Sequence, residues 1–183
     1  MVLVLLAGCT TIGGTPAPAD PAQPTSAAST RPRDVRIDGI DPCSLLTDEQ
    51  RAELGLDGRP VLDHGPSSLY PGGDVPVCVT RGFEPRAVSA GITLATTAGI
   101  DLYTAGSLEV DIQPTQVHGF PGVVAVPQRF TEWCSVIVDV APGQLLDVQF
   151  ADGGRTPPIP QTQLCEDAVV VADHAMSTLL AIR

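Results

Sequence analysis

Five cysteines in a chain of 183 residues constrain the fold more than any other feature of this sequence. Cys9 lies at the end of an apolar run, whereas the other four cysteines are widely spaced and contain no Cys-x-x-Cys pair. Such spacing does not suggest a zinc or redox site and is typical of structural disulfides in an oxidising compartment. The sequence therefore predicts two disulfides, made by Cys43, Cys78, Cys134 and Cys165.

The N-terminus carries an export and lipidation pattern. The apolar run ends in Leu6-Ala7-Gly8-Cys9, the arrangement that the lipoprotein signal peptidase reads. We expect residues 1–8 to be a signal peptide and Cys9 to be lipidated. The run is short and no Arg or Lys precedes it, so we expect the natural signal to begin upstream of Met1. The alternative is a cytosolic protein with an apolar N-terminus, and the disulfide pattern argues against it.

A Pro/Ala/Thr/Ser-rich segment follows and contains almost no large apolar side chain. A segment of this composition adopts extended, partly polyproline II conformations and acts as a spacer. We expect residues 9–37 to tether one globular domain, residues 38–183, to the outer face of the cell membrane. Lipid attachment at Cys9 through two or more chains gives stable anchoring.

The charge balance excludes one class of partner. The chain has 21 acidic and 10 basic residues, and the basic residues form no run, so we expect no nucleic-acid binding. All ten basic residues are Arg, and Lys and Asn are absent, which indicates a GC-rich genome. The hydrophobic share of 43% is typical of a globular protein.

The pattern within residues 38–183 predicts an α+β fold. Helix-start signals at Asp41-Pro42 and at Thr47 with Gln50 predict a short N-terminal helix. Apolar residues at spacings of three and four predict a long helix from Pro160 to about Ile182. We expect these helices to pack on an antiparallel sheet of about five to seven strands. The strands are predicted near Val61 and at Val77 to Gly82, Val88 to Thr96, Leu108 to Ile112, Gly122 to Val126, Trp133 to Val140 and Leu145 to Phe150.

Sequence alone leaves three disulfide connectivities open. Adjacent pairing would tie the first helix to the first of the well-defined strands through Cys43 and Cys78. It would also tie a strand of the later meander to the last helix through Cys134 and Cys165.

The segment Asp41-Pro42-Cys43-Ser44-Leu45-Leu46-Thr47, behind the lipidation motif and the linker, resembles the opening of an actinobacterial lipoprotein family called domain of unknown function 3558. Cys78 on a strand, Cys134 after Trp133 and Cys165 in the closing helix are similar to later landmarks of that family. The resemblance covers residues 38–182. It implies a secreted α+β domain and implies no chemistry.

The sequence contains no motif that indicates catalysis. A Gly-x-Ser-x-Gly elbow and a glycine-rich phosphate loop are both absent, and the cysteines are explained by disulfides. His64, His118 and His174 lack metal-ligand spacing. We therefore expect no catalytic residue, no metal and no cofactor.

Tyr70 is the clearest candidate for recognition. It lies beside Pro71-Gly72 in a predicted exposed loop, and Arg81 and Arg86 follow on the next strands. An exposed aromatic residue with nearby arginines is typical of a binding surface.

Our first functional hypothesis is a non-catalytic, membrane-tethered binding or accessory domain for an envelope ligand or partner protein. A second is a sensor-like or carrier domain for a small apolar ligand, which requires an apolar cavity between the helices and the sheet. A third is an envelope hydrolase with a site assembled from distant residues. Clustering of His64 and His118 with acids in one cleft would indicate the third hypothesis.

Overall fold

One antiparallel sheet of seven strands runs through the domain. The computed structural model describes residues 31–72 and 74–183, so the predicted signal peptide, Cys9 and the first part of the tether lie outside the described residues. The strands are hydrogen-bonded in the order β1-β2-β3-β7-β6-β5-β4. Their bounds are β1 Val61–Pro66, β2 Asp74–Gly82, β3 Val88–Ala95, β4 Val110–Val117, β5 Phe120–Pro127, β6 Trp133–Ala141 and β7 Gln144–Asp152.

Helical segments lie before, within and after the run of strands. The chain enters through a 3₁₀ helix, and the long last helix closes the fold, as predicted. The bounds are Pro42–Leu45 for the 3₁₀ helix, Asp48–Glu53 for α1, Asp101–Thr104 for α2 and Gln161–Ile182 for α3. The predicted α+β class, with an antiparallel sheet, a short N-terminal helix, a long C-terminal helix and two disulfides, is confirmed.

The predicted helix-start signals work as capping interactions. The Thr47 hydroxyl accepts a hydrogen bond from the Gln50 backbone N–H at 3.2 Å, and the Gln50 side chain accepts one from the Thr47 N–H at 2.8 Å. This reciprocal pair satisfies two backbone donors that the first turn of α1 would leave without partners. Upstream, the Asp41 carboxylate accepts from the Cys43 N–H at 2.8 Å and starts the 3₁₀ helix.

The main core lies between α3 and one face of the sheet, which we call the first face. The predicted apolar stripe of α3 is buried there, except that Ile182 at its end is exposed. The stripe packs mainly against β6 and β7. Its buried members are Leu164, Ala168, Val171, Ala175 and Leu179.

A smaller core lies on the opposite face, which we call the second face. The loop of residues 67–72 and the segment around α2 fold back onto this face and cover part of it. The sequence pattern did not predict this core, because its members come from short stretches that show no periodicity. They include Tyr70, Val75, Ala95, Tyr103, Val123, Ile137 and Leu145.

The two disulfides connect the layers. Cys43 pairs with Cys78, which joins the 3₁₀ helix to β2, and Cys134 pairs with Cys165, which joins β6 to α3. Of the three connectivities that the sequence leaves open, the structure therefore has adjacent pairing.

The described end of the predicted tether packs on the domain. Val35 and Ile37 are each only 1% exposed and belong to the main core. The Val35 N–H donates to the Val140 carbonyl at 2.7 Å, and Arg31 lies 2.5 Å from Asp139. The folded part therefore begins before residue 38. That boundary was predicted from the low apolar content of residues 9–37.

Candidate functional site

Three polar side chains meet under the loop that covers the second face. The Tyr70 hydroxyl donates to Asp147 Oδ2 at 2.6 Å and lies 2.7 Å from the Tyr103 hydroxyl. The Tyr103 hydroxyl lies 3.3 Å from the same carboxylate oxygen. Tyr70 comes from the loop between β1 and β2, Tyr103 from α2, and Asp147 from β7 in the middle of the sheet. We call these three residues the Tyr-Asp cluster.

Burial dominates the electrostatics of the Tyr-Asp cluster. It raises the pKa of the Asp147 carboxyl, and the hydroxyls of Tyr70, Ser135 and Tyr103 oppose that rise. Oδ1 of Asp147 is inaccessible and has no hydrogen-bond partner within residues 31–72 and 74–183. A buried carboxylate oxygen without a donor favours the protonated form of the side chain.

The tyrosines remain donors in this environment. Burial, and then the charge of Asp147 when that carboxyl is ionised, raise the pKa of both Tyr70 and Tyr103 well above the ordinary value. Both hydroxyls therefore stay protonated and hold the loop and α2 onto the sheet. The chemical role that this geometry supports is structural attachment.

The exposure predicted for Tyr70 is wrong. Tyr70 is only 3% exposed. Its ring packs in the smaller core and its hydroxyl is bound to Asp147. The flanking Pro71-Gly72 dipeptide indicates a loop correctly, but it does not show on which side of that loop the ring lies.

The two arginines predicted beside Tyr70 also point to different surfaces. Arg81 shares the second face with Val77 and Val79, because alternate residues of a strand point the same way. Arg86 lies after the end of β2, and its guanidinium is 3.8 Å from Asp167 on α3, on the first-face side. The three predicted residues therefore do not form one site, and of these three only Arg81 faces an open part of the sheet.

The open part of the second face lies over β1 and β2. A surface groove of about 690 Å³ there is lined by exposed apolar side chains and two arginines. Val61 is 59% exposed and Phe83 is 63% exposed. We define the β1–β2 patch as Arg59, Val61, Val79, Arg81 and Phe83, all of which line this groove.

The arginines of the β1–β2 patch carry uncompensated charge. Arg59 and Arg81 have no ion-pair partner in the part of the chain that the structure describes. Asp63 also lines the groove, and its carboxylate accepts a hydrogen bond from the His64 N–H at 2.9 Å. The groove is therefore lined by two arginines and the Asp63 carboxylate, and the Asp57 carboxylate accepts a hydrogen bond from the Phe83 N–H at 2.8 Å.

Both edges of the sheet carry prolines that disfavour the addition of another strand. On β4, Pro114 has no N–H to offer a partner strand. On β1, Pro66 has none, Pro60 precedes the strand, and the His64 N–H is already bound by Asp63. Proline and local capping are common means of protecting an edge strand. A binding partner would therefore meet side chains on a face of this sheet.

The three histidines lie in separate places. His64 is 3.4 Å from Asp74 beside β1, His118 is 3.1 Å from Asp173, and His174 is 3.7 Å from Glu53. The hydrolase hypothesis requires His64 and His118 to lie in one cleft. In the structure they do not. Within the described ranges, no group of three or more His, Cys, Asp or Glu side chains is arranged to hold a metal ion.

Comparison with family models gives a match over most of the chain. Residues 4–178 match a family described as protein of unknown function (DUF3558). Comparisons with curated proteins and with solved structures give no match. None of the helices in the described ranges is long and apolar enough to cross a membrane.

Proposed function

The chain belongs to the DUF3558 family of proteins of unknown function, and we propose that this member is an actinobacterial lipoprotein whose extracytoplasmic domain binds a partner protein through the β1–β2 patch. The proposed role has no catalytic step. Lipid at Cys9 would hold the domain at the membrane, and the Pro-rich segment would give it reach.

The exposed apolar surface of the β1–β2 patch is the observation that carries the proposal. Val61 and Phe83 leave most of their side-chain area in water, although the fold covers the neighbouring part of the same face with a loop and α2. Contiguous exposed apolar groups with a polar rim are typical of interaction sites. Aromatic residues and arginine are also the residues that most often dominate binding energy at interfaces.

Two sequence features support the proposed location. Two disulfides in a small domain are typical of an oxidising compartment. The Leu6-Ala7-Gly8-Cys9 pattern and the following linker are typical of a lipoprotein. The absence of Lys and Asn fits a GC-rich actinobacterial genome.

Intact-mass measurement tests the location. The gene should be expressed with its natural upstream region in an actinobacterial host, and the protein should be extracted from membranes. We expect a mature chain that begins at Cys9, carries acyl mass and gains about four hydrogens on reduction of two disulfides. An unprocessed chain with free thiols would refute the proposed extracytoplasmic, membrane-anchored location.

A matched pair of surface variants tests the binding role. The full chain, extracted in mild detergent, should migrate in a complex larger than its own mass. We expect Phe83→Ser combined with Val61→Ser to shift the protein to its own mass, because those side chains fill the proposed contact. The control is Val170→Ser, since Val170 is an exposed apolar residue on α3, away from the patch. If the patch variant and the control migrate alike, the patch is not the binding surface.

A further inference from the structure

The charges around the β1–β2 patch indicate the chemistry of the partner. The chain has a formal net charge of −11, yet the two guanidiniums of the patch are left without a partner among the described residues. Arg36 and Arg129 are compensated by Asp38 and Glu109, whereas Arg33, Arg155 and Arg183, like the patch arginines, have no ion pair among the described residues. An uncompensated pair of arginines beside exposed apolar groups fits a partner that supplies carboxylates.

We propose that the partner presents an acidic, partly apolar protein segment, whose apolar side chains cover Phe83 and Val61 while its carboxylates bind Arg59 and Arg81. This inference rests on the proposed function and specifies the partner of the same surface. The carboxylates of the segment contact the two guanidiniums directly, because Asp63 and the Asp57 carboxylate bound to the Phe83 N–H repel them elsewhere around the groove.

The edge strands determine how that segment binds. Pro66 and the bound N–H of His64 leave β1 with few free donors, so the segment does not add to the sheet as an eighth strand. It lies across the second face and is held by side chains. Recognition then depends on the two guanidiniums and on Phe83 more than on backbone hydrogen bonds.

The charge of the whole domain favours a protein segment over an anionic membrane surface. A membrane is an extended plane, so it meets the field of the acidic domain as a whole, which is repulsive at a net charge of −11. A narrow segment meets only the charges within about one screening length, roughly 8 Å at physiological ionic strength. At the groove itself, Arg59 and Arg81 attract an acidic segment, and Asp57 and Asp63 offset part of that attraction.

The structure provides a matched control for the experiment. Phe130 is another exposed phenylalanine, at 58% exposure, and it follows Arg129 in sequence. Arg129 is 3.1 Å from Glu109, so its charge is already compensated. Phe83 therefore lies beside arginines that have no ion pair among the described residues, whereas the arginine beside Phe130 is paired.

Photocrosslinking in the cells that make the protein tests the inference. A photoreactive phenylalanine analogue is placed at position 83 or, in the control, at position 130 of the full chain, and crosslinked peptides are identified by mass spectrometry. We expect position 83 to crosslink to a protein segment in which Asp or Glu alternates with apolar residues. Arg59→Glu with Arg81→Glu should lower the yield about tenfold or more, whereas Arg129→Glu should leave it unchanged. Arg59→Gln with Arg81→Gln should give a smaller loss, and melting temperatures confirm that each variant is folded.

The outcomes separate this inference from the proposed function. A crosslinked protein segment that is neutral or basic, or a yield that charge reversal does not change, overturns the partner chemistry and leaves the patch as a binding surface. Crosslinks to lipid or to a second copy of this chain overturn the inference of an acidic partner segment. Absence of a protein crosslink at position 83, or identical crosslinks at positions 83 and 130, overturns both.

Discussion

The hydroxyl of Tyr70 lies 2.6 Å from Oδ2 of Asp147, and this contact joins the loop between β1 and β2 to the central strand β7. A tyrosine that donates to a buried carboxyl compensates only part of the cost of burying that group. The rest of that cost applies to the ionised form of Asp147. The stability of the second face therefore depends on pH.

Replacement of Asp147 should change the pH dependence of stability. Burial raises the pKa of Asp147 in the folded protein, so folding is favoured by the protonated form. This contribution is fully present below the pKa of the unfolded chain, about 3.9, and is lost as pH rises through the raised pKa of the folded state. We expect Asp147→Asn, which carries no charge, to gain stability relative to the wild type as pH rises. Urea unfolding across a pH series measures this, and parallel curves for the two proteins would contradict it.

Asp152 should show the opposite dependence. Burial works to raise its pKa, but the backbone N–H groups of Ile159, Arg155 and Gly154 outweigh burial and hold the pKa below its usual value. Its contribution to stability is therefore present above the pKa of the unfolded chain and is lost as pH falls through the lowered pKa of the folded state.

We accordingly expect Asp152→Ala to cost about 1–3 kcal/mol at neutral pH, because it removes the acceptor of several backbone donors. The loss should shrink in acid, as measured by urea unfolding at both pH values. Glu132→Ala, at an exposed neighbouring position, is the control and should change little. A loss of equal size at both pH values would contradict this account of Asp152.

Each disulfide should contribute several kcal/mol. The bridges close loops with sequence separations of 35 and 31 residues. For loops of that length, the loss of unfolded-state entropy corresponds to roughly 3–4 kcal/mol. We expect Cys43→Ser with Cys78→Ser, and separately Cys134→Ser with Cys165→Ser, to lower the melting temperature sharply. An unchanged melting temperature in either double variant would show that its bridge does not stabilise the domain.

Gly82 should tolerate no side chain. A Cβ at this position would lie 1.9 Å from the Gly55 carbonyl oxygen, and backbone cannot swing aside as a side chain can. We expect Gly82→Ala to cost about 1–3 kcal/mol or more, as overpacking does. Gly65 on β1 is the matched control, because a Cβ there meets nothing within 4 Å. Equal free energies of unfolding for Gly82→Ala and Gly65→Ala would refute the close approach.

The position at which the domain begins can be tested by truncation. A chain that starts at residue 31 keeps Val35 and Ile37, whereas a chain that starts at residue 38 lacks both. Burial of each side chain stabilises the fold by roughly 1.5–3 kcal/mol, so the shorter chain should be much less stable. Thermal unfolding of the two proteins measures the difference, and equal melting temperatures would place the boundary where the composition predicts it.

The sequence predicts the first face of the sheet well. Alternating apolar residues identify the long strands, the capping box at Thr47 identifies α1, and spacings of three and four identify α3. The strand β4 is longer than predicted because Pro114 lies on an edge, where the missing N–H costs no ladder hydrogen bond.

The second face is harder to predict, because its contacts join residues that are distant in sequence. Tyr70 lies 77 residues from Asp147, and no periodic pattern connects the two. One signal was present: Asp147 is an acid within the apolar run Leu145-Leu146-Asp147-Val148 on a predicted strand. A buried acid needs donors. Tyr70 and Tyr103 are the two tyrosines of the chain and are natural candidates.

The exposure of Phe83 depends on strand order. β1 is an edge strand, and the covering loop turns toward Val75 and Ala95 instead of across β1 and β2. Neither fact follows from local composition. The β1–β2 patch therefore could not be predicted as a unit, although Arg81 was singled out from the sequence.

The way in which residues 31–43 join the domain determines how it would respond to mechanical tension on its N-terminus. A pulling force applied at Arg31 would first load the contact with Asp139 and the Val35 hydrogen bond on β6, which lies inside the sheet. Once those contacts yielded, the load would pass at Cys43 to a covalent bond with β2. Unravelling from that end would therefore stop at Cys43.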